Sequence, residues 1–597
     1  MTATFAGIDD ATADLSSGHG TERSIAVLAN GLLTTRTILL RTAIAEITTQ
    51  LPEIADRAGL SLAYQTMAEL QRSHPAAVTA LLSYPHTGPW LARVLHRIHA
   101  APDDETTPLW ADCGYLGWLA AAGGITCRAE GSMKLVVRNG VVMLPGIGMV
   151  RFGSAEDCGH CELRWTSEGA LHFTRDTTTV LISCTDEESD PVWLPLRRLC
   201  GAADEPEVFL DDLDPFRDFL DDRTPARLTA AQAELWQQDF AAAWDLLDRD
   251  FDRYLVPMRS CLQALAPLSV RPLVASTSHT SSTGLGCVYT TAPADPCQLA
   301  LSLIHEIQHT KFTLLTDQVV LVDPDPACHF YAPWRDDPRP IFGLLHGIYA
   351  FFGVTDFWRV HRHADCHRSQ QAHVDFELWR IQVEAAMTHA STSGLLTDSG
   401  AQFIDTLRAG MRPWSSEDVS AEARLAASEA SAAHRTFWQV RNLIPDAGGI
   451  ANLAAQWTAQ ASRPTVLPSA GHADQQTVPD GYRRLHLSAQ LKVFDSGPAG
   501  ALASPDQPHG DRAYLAGDLS EAVALYAREL HADPLRPQLW AGLALTMPKL
   551  YPDSNFSILN TRAEVAARLY RTVRADTGTA AIIDLVRWLS NCPDVDG

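Results

Sequence analysis

Residues 294–317, ADPCQLALSLIHEIQHTKFTLLTD, are the stretch of sequence that decides the fold. Leucines and isoleucines recur there at helical spacing, and Pro296 stands where proline favours the first turn of a helix. His305 and His309 are four residues apart, so a helix places both imidazoles on one face, where they can bind one metal ion. Glu306 points about 100° away around the helix, within reach of a metal-bound water or a substrate. The stretch therefore predicts an apolar helix that carries a metal site.

The flanking sequence predicts an α+β fold that is mainly α-helical. Residues 22–100 and 296–440 have helical periodicity, and Thr229 is a predicted helix N-cap. Residues 130–200 alternate β-branched residues with turn signals, which predicts a small antiparallel sheet. The predicted regions are an N-terminal helical region (1–125), a small antiparallel β region (126–205), a helical HExxH metal-binding catalytic core (206–460), a linker (461–510) and a tetratricopeptide-like helical C-terminal domain (511–597).

Charge and hydropathy limit the classes of partner. The 597 residues include 47 Lys or Arg and 71 Asp or Glu, a formal net charge of −24. Nucleic acids and anionic membranes repel so acidic a protein, so we expect neither as a partner. The amino terminus lacks the basic and apolar regions of a secretory signal, and no run of 18 apolar residues is present to span a bilayer. We therefore expect a cytoplasmic protein.

The twelve cysteines are mostly scattered singly, which is typical of reduced thiols. The exception is CGHC at residues 158–161, which has the spacing of a redox pair or of half a zinc site. A redox pair of the thioredoxin type lies where a strand enters a helix, whereas the flanks here are typical of strands and turns. We interpret the pair as two ordinary thiols in a β-turn.

The third metal ligand is the choice that decides the chemistry. A metzincin would have Gly and His at the positions of Phe312 and Leu315, so the sequence excludes that class. A gluzincin would use a downstream glutamate, for which Glu377 and Glu384 are candidates. The rival is His346, which lies in an apolar helical segment where a buried imidazole needs a partner.

A stiff cationic element precedes His346. In YAPWRDDPRP, residues 331–340, prolines and a tryptophan flank Arg335 and Arg339. Because the arginine fork suits bidentate binding of a carboxylate, this element could bind a small dicarboxylate co-substrate. The alternative is that these arginines pair with Asp336, Asp337 or other acids. No Walker A motif, GxGxxG run or GxSxG elbow competes with the metal site.

Several motifs occur in a fixed order along the chain, over residues 70–440. They are PHTGPWLARVL at 85–95, GVVMLPGIG at 140–148, LDDLDPFR at 210–217, HEIQH at 305–309, YAPWRDDPRP at 331–340 and GLLHGIYAFFGVTDFW at 343–358. In this combination the chain resembles the HExxH-motif proteins encoded near ribosomal peptide natural-product clusters. The resemblance implies an iron(II)- and 2-oxoglutarate-dependent dioxygenase that uses O2 to β-hydroxylate a residue of a precursor peptide.

The resemblance also implies roles for particular residues. His305, His309 and His346 would bind the iron, and Arg335 or Arg339 would bind the distal carboxylate of 2-oxoglutarate. Glu306 would orient a ligand, a water or the peptide rather than act as a general base. The usual facial triad has two histidines and a carboxylate, so three histidines would depart from it. The segments before residue 70 and after 460 lie outside the resemblance and are candidates for binding the precursor peptide or another peptide-modifying enzyme.

Two other classes of function stay open at this point. In a zinc metallopeptidase of the gluzincin type, Glu306 would activate a zinc-bound water. In a non-catalytic scaffold, the helical tail would present modifying enzymes to a peptide. A glutamate as third ligand favours hydrolysis, whereas the arginine-rich element favours a dicarboxylate co-substrate.

Overall fold

The computed structural model describes most of the chain and confirms the mainly helical α+β class. Helices account for 61% and strands for 13%. The described residues are 2–100, 106–153, 157–183, 192–201, 207–217, 227–268, 278–323, 325, 328–366, 368–472, 508–573 and 579–593. The chain divides into two compact units, Met1–Val320 and Leu321–Gly597, and each is described by itself. The boundary between the two units, at residues 320 and 321, thus falls inside the region 206–460, which the sequence predicts as one catalytic core.

The first unit begins with helices, continues through strands and ends on the HExxH helix. Its helices are α1 (Thr2–Leu15), α2 (Glu22–Gln50), α3 (Pro52–Ala58), α4 (Leu60–Ser73), α5 (Pro75–Ser83), α6 (Thr87–His99), α7 (Leu109–Cys113), α8 (Tyr115–Thr126), α9 (Ala230–Asp250), α10 (Asp252–Cys261) and α11 (Pro296–Thr316). Its strands are β1 (Gly131–Val137), β2 (Val141–Leu144), β3 (Gly148–Arg151), β4 (Gly159–Trp165), β5 (Ala170–Arg175), β6 (Thr178–Ser183), β7 (Trp193–Pro195), β8 (Arg197–Leu199), β9 (Val208–Leu210), β10 (Ala264–Pro267), β11 (Ser278–His279) and β12 (Cys287–Thr290).

These strands form three small sheets. The predicted antiparallel region is confirmed as a four-stranded sheet in the order β1-β4-β5-β6 and a three-stranded sheet in the order β2-β3-β7. The third sheet is mixed and has the order β11-β12-β10-β9-β8, with β10 parallel to both β9 and β12. Helix α8 is buried along almost its whole length and packs against β1, where the Trp118 indole donates to the carbonyl of Val136 at 2.8 Å.

Asp112 is a fully buried carboxylate that joins several elements of the first unit. Arg138 donates to it at 2.6 Å, Arg97 at 2.5 Å and Arg93 at 3.1 Å. Burial alone would raise the pKa of Asp112, but the charges of Arg138 and its neighbours outweigh this and hold the pKa below its usual value. Because a buried charge is stable only when it is paired, this cluster fixes α6, α7 and the β1–β2 turn to one another.

The second unit is almost entirely helical. Its helices are α12 (Ile341–His361), α13 (Ser369–Thr392), α14 (Asp398–Met411), a 3-10 turn (Arg412–Ser416), α15 (Ala421–Asn442), α16 (Ala447–Thr458), α17 (His509–Leu515), α18 (Leu519–Ala532), α19 (Pro537–Leu550), α20 (Ile558–Thr561), α21 (Ala563–Val573) and α22 (Thr579–Ser590). Its strands β13 (Leu443–Pro445) and β14 (Ala470–His472) pair antiparallel.

Helices α18 and α19 lie where the sequence predicts a helical hairpin near the C-terminus, and they share a hydrophobic core with α15 and α21. Most of the predicted linker, residues 473–507, lies outside the described residues, whereas β14 falls in its first part. Helix α12 is long and apolar enough to cross a membrane by composition alone. Because 78% of its apolar window is buried inside the protein, it is equally explained as a core helix.

We expect the substitution Asp112→Asn to destabilise the first unit by about 3–5 kcal/mol, because it leaves the buried guanidinium of Arg138 without its carboxylate. Asp157→Asn is the matched control: its pair with Arg175 is partly exposed, and losing it should cost about 0–1 kcal/mol. Urea and thermal unfolding of both variants measure the difference. Equal losses of stability in the two variants would contradict the assignment of Asp112 as a buried charge centre.

Candidate metal centre

Helix α11 forms where the sequence predicts it. Asp295 caps its start by accepting from the backbone N–H of Gln298 at 2.8 Å, and Pro296 occupies the first turn. The helix is buried on most sides, but His305 and His309 are only half-buried. The two predicted metal ligands therefore form the accessible edge of a helix whose other residues belong to the core.

The two imidazoles face each other closely enough to share one ion. Their Nε2 atoms lie 3.1 Å apart and their rings meet edge to face with centroids 4.6 Å apart. In the structure one ring N–H donates to the other ring nitrogen, and a cation could replace that proton. Two imidazole ligands bound at about 2.0–2.1 Å to one metal place their nitrogens about 3 Å apart when they are at right angles. The pair thus fits a metal site, as predicted from the i, i+4 spacing.

Glu306 points away from solvent into a clamp of hydroxyl groups. Its side chain is fully buried, and its two oxygens accept from Ser278 Oγ at 2.7 Å and from Thr280 Oγ1 at 3.0 Å. Burial raises the pKa of Glu306 to about 7, although the bonds from Ser278 and Thr280 lower it. A buried carboxyl group that is satisfied in this way links α11 to β11. We did not predict either partner; the hydroxyl-rich run STSHTSST at residues 276–283 was the available signal.

The next turn of α11 binds the N-terminal segment. Gln308 donates to the carbonyl of Gly18 at 3.1 Å, and the Lys311 amine donates to the carbonyls of Gly18, at 3.2 Å, and His19. The amine also lies over the ring of Tyr254, 5.8 Å from its centroid. Burial lowers the pKa of Lys311 to about 7. The helix that carries the histidines is therefore held on a second side by residues from the start of the chain.

A second buried cluster lies in the same unit and joins two of the sequence motifs. His86, from PHTGPW, and Asp211, from LDDLDPFR, are both fully buried, and Nε2 lies 3.0 Å from Oδ2. The Tyr84 hydroxyl also donates to Asp211. Burial alone would lower the pKa of His86, but the charges of Asp211 and Asp214 raise it, so the ring is stabilised as an imidazolium. Asp211 in turn has its pKa lowered, because His86 and Tyr84 outweigh the effect of burial.

Asp214 occupies the other side of this cluster. It accepts from the Tyr115 hydroxyl at 2.8 Å and from the backbone N–H of Phe216 at 2.8 Å. Burial and the nearby charge of Asp211 raise its pKa to about 6, although His86 lowers it. No sequence pattern assigned His86, Asp211 or Asp214 a role. The only signal was that their motifs, PHTGPWLARVL and LDDLDPFR, are among those on which the family resemblance depends.

His346 lies in the second unit, on α12. It is half-buried, and its ring lies nearly parallel to that of Phe342 with centroids 6.0 Å apart. The histidine pair belongs to the first unit. That His346 completes the ligand set therefore stays a prediction.

Arg335 and Arg339 share one carboxylate. Arg335 Nε donates to Asp337 at 2.7 Å and Arg339 Nη1 at 3.2 Å, so the alternative that these arginines pair with a local acid is confirmed for Asp337. Two guanidinium groups have more N–H donors than the carboxylate of Asp337 accepts. Arg339 Nε is buried and has no hydrogen-bond acceptor among the described residues. The element therefore retains donors that fit a second carboxylate, as the dicarboxylate prediction requires.

The two candidate gluzincin glutamates are already engaged by arginines. Glu377 is buried and pairs with Arg380, one turn along α13. Glu384 is exposed and pairs with Arg408 of α14 at 3.0 Å. A glutamate ligand would have to exchange its arginine for a metal ion, so these contacts weigh against both candidates as the third ligand.

The CGHC pair lies at the start of a strand rather than before a helix. Cys161 is buried on β4, and burial raises the pKa of its thiol to about 12. Cys158 instead contacts Asn139 at 3.3 Å. Because a reactive thiol needs a lowered pKa, the raised pKa supports the interpretation of Cys161 as an ordinary thiol. The predicted β-turn is wrong, since Cys161 lies within β4 and pairs with Leu135 of β1.

A scan against protein-family models finds no match to this chain, and a search of curated proteins finds no similar sequence. The geometry above and the motifs in the sequence are therefore the features that indicate a function. Among these, the histidine pair on the accessible edge of α11 is the feature with the most specific chemistry.

The histidine pair generates a direct prediction. Replacing His305 by Ala removes one of two adjacent ligand nitrogens, so stoichiometric metal binding should be lost while the fold persists, since His305 is only half-buried. His99→Ala is the matched control, because that histidine is exposed on α6 and pairs with Glu46. Metal content by elemental analysis and circular dichroism give the two readouts. Full metal content in His305→Ala would exclude this site.

Proposed function

We propose that this protein is an iron(II)- and 2-oxoglutarate-dependent dioxygenase that β-hydroxylates a residue of a ribosomally made precursor peptide. The observation that carries the proposal is the pair of Nε2 atoms, 3.1 Å apart, at the accessible edge of α11. The resemblance of the ordered motifs to HExxH peptide hydroxylases supplies the reaction class. A cytoplasmic location and a peptide partner belong to the same proposal.

Each group of residues has a role in this proposal. His305 and His309 would hold the iron, with His346 as the third ligand. Iron with open coordination positions supplies the activation of O2 when it is bound. Arg335 or Arg339 would bind the distal carboxylate of 2-oxoglutarate through donors that Asp337 leaves unused.

The environment of Glu306 favours this chemistry over hydrolysis. A peptidase needs a carboxylate that faces a metal-bound water and takes its proton. Both oxygens of Glu306 instead accept hydrogen bonds from Ser278 and Thr280, in a fully buried position. A hydroxylase uses no such base, and a carboxyl group fixed in this way can serve to orient the helix and its histidines.

A zinc metallopeptidase is the second candidate, and one observation favours it. The pKa of Glu306 is raised to about 7 by burial, and a general base works best when its pKa lies near the working pH. Against it stand the hydroxyl clamp on that same carboxyl group and the arginine partners of Glu377 and Glu384. The hydroxylase accounts for more of these contacts.

The proposal is tested with the full chain, reconstituted anaerobically with Fe(II). On addition of 2-oxoglutarate and air, we expect succinate to form without any peptide, because such enzymes decarboxylate the co-substrate slowly in uncoupled turnover. The Zn(II)-loaded protein is the matched control and should form none. Zn(II)-dependent cleavage of peptides without O2, together with no succinate from the Fe(II) form, would overturn the proposal in favour of the peptidase.

The arginine element generates a separate prediction. In the double variant Arg335→Gln/Arg339→Gln, affinity for 2-oxoglutarate should fall by about 10- to 100-fold, because charge-assisted hydrogen bonds to a carboxylate are lost. Fe(II) affinity should change little. Arg408→Gln is the control, since that arginine pairs with the exposed Glu384. Isothermal titration with 2-oxoglutarate measures both. If the double variant keeps wild-type affinity, the carboxylate anchor lies elsewhere, and Arg359, Arg362 and Arg380 become the candidates.

A further inference from the structure

The clamp on Glu306 is carried by a very short strand. Strand β11 contains only Ser278 and His279, and Thr280 follows it directly. Because side chains alternate along an extended chain, Ser278 and Thr280 point to the same side, towards Glu306, and His279 points to the other. The position of both hydroxyls therefore depends on what holds the opposite side of this segment.

That opposite side rests on an aromatic ring. His279 pairs with Tyr289 across the antiparallel β11–β12 ladder, and their rings stack with centroids 5.0 Å apart and planes 5° from parallel. The Tyr289 side chain is almost fully buried, whereas His279 is half-buried. A buried ring thus forms the platform for the short strand.

The platform is itself tightly fixed. The His86 ring meets Tyr289 edge to face at 6.4 Å, and His86 is held by its ion pair with the buried Asp211. On another side lies Gly284, where a Cβ atom would come within 2.8 Å of the Tyr289 phenol oxygen. Only a glycine leaves that oxygen its present place.

We infer that the His279–Tyr289 stack, anchored on the His86–Asp211 ion pair, is a positioning network for the metal centre. It holds Ser278 and Thr280 against Glu306, and Glu306 in turn fixes the orientation of α11 and its histidines. The inference rests on the proposed function, since it takes His305 and His309 to be metal ligands. Partners hydrogen-bonded directly to metal ligands tune metal affinity by about 10- to 100-fold, and this network acts on the ligands only through α11, so we expect an effect at the lower end of that range.

The first test exchanges the half-buried ring and uses Co(II) alone as a coloured probe. His279→Ala removes the stack and should weaken Co(II) binding by about 10-fold and shift the visible d–d bands. His279→Phe keeps a flat ring on Tyr289 and should restore the wild-type affinity and spectrum. Thermal unfolding should be similar for the two variants. Wild-type Co(II) affinity and bands in His279→Ala would overturn the inference.

The second test displaces the phenol oxygen of Tyr289 by a steric clash. Gly284→Ala should perturb the Co(II) bands, because the new methyl group displaces the phenol oxygen of Tyr289. Tyr289→Phe alone should leave them unchanged, and adding it to Gly284→Ala should restore them. Tyr526→Phe is the matched control: it removes a buried hydroxyl bond to Asp511 in the second unit, outside the His86–Asp211 cluster, so the bands should stay as in the wild type.

The outcomes separate this inference from the proposed function. If the wild-type protein binds Co(II) but no substitution at residues 279, 284 or 289 changes the Co(II) bands, the network is overturned and the metal centre is retained. If Gly284→Ala shifts the bands and Tyr289→Phe fails to restore them, the path through the phenol oxygen is wrong. A wild-type protein that binds no Co(II) overturns the metal centre and the network together.

Discussion

A carboxyl group buried in the middle of an apolar helix is the constraint on which the first unit depends. Transfer of an unpaired carboxylate out of water costs far more than a single helix can offset, so Glu306 needs partners of its own. Ser278 and Thr280 supply them, and in doing so they bind α11 to the mixed sheet. With Glu306 drawn inward, the helix turns His305 and His309 towards its accessible edge. The accessible position of the two candidate metal ligands follows from where that carboxyl group is satisfied.

The other buried charges of this unit follow the same rule at different places. Asp112 forms ion pairs with three arginines, and His86 pairs with Asp211. The Lys311 amine donates to backbone carbonyls. Each of these contacts joins segments far apart in sequence, so the polar groups of the core specify how its helices and small sheets are arranged, while the apolar residues supply the bulk of the stabilisation.

Local features were predictable from the sequence, and tertiary pairings were not. The N-cap at Thr229, the first-turn Pro296 and the shared face of the histidines follow from short-range rules of helix geometry. Thr229 forms a full capping box with Gln232. The partners of Glu306 lie 26 and 28 residues away, and Asp211 lies 125 residues from His86. Periodicity carries no information on such pairings. The roles of His346, Arg335 and Arg339 rest on the family resemblance and stay predictions.

The hydrogen bonds of the Lys311 amine limit the order in which parts of the first unit can fold during synthesis. Its acceptors, the carbonyls of Gly18 and His19, leave the ribosome almost 300 residues before the lysine does. Contacts between such distant positions close a long loop, which slows their formation. During synthesis α1 can pack against α2, but the segment at Gly18 and His19 cannot form its contacts with Lys311 until α11 has emerged. This segment is translated long before α11 but is among the last parts of its unit to reach its final place.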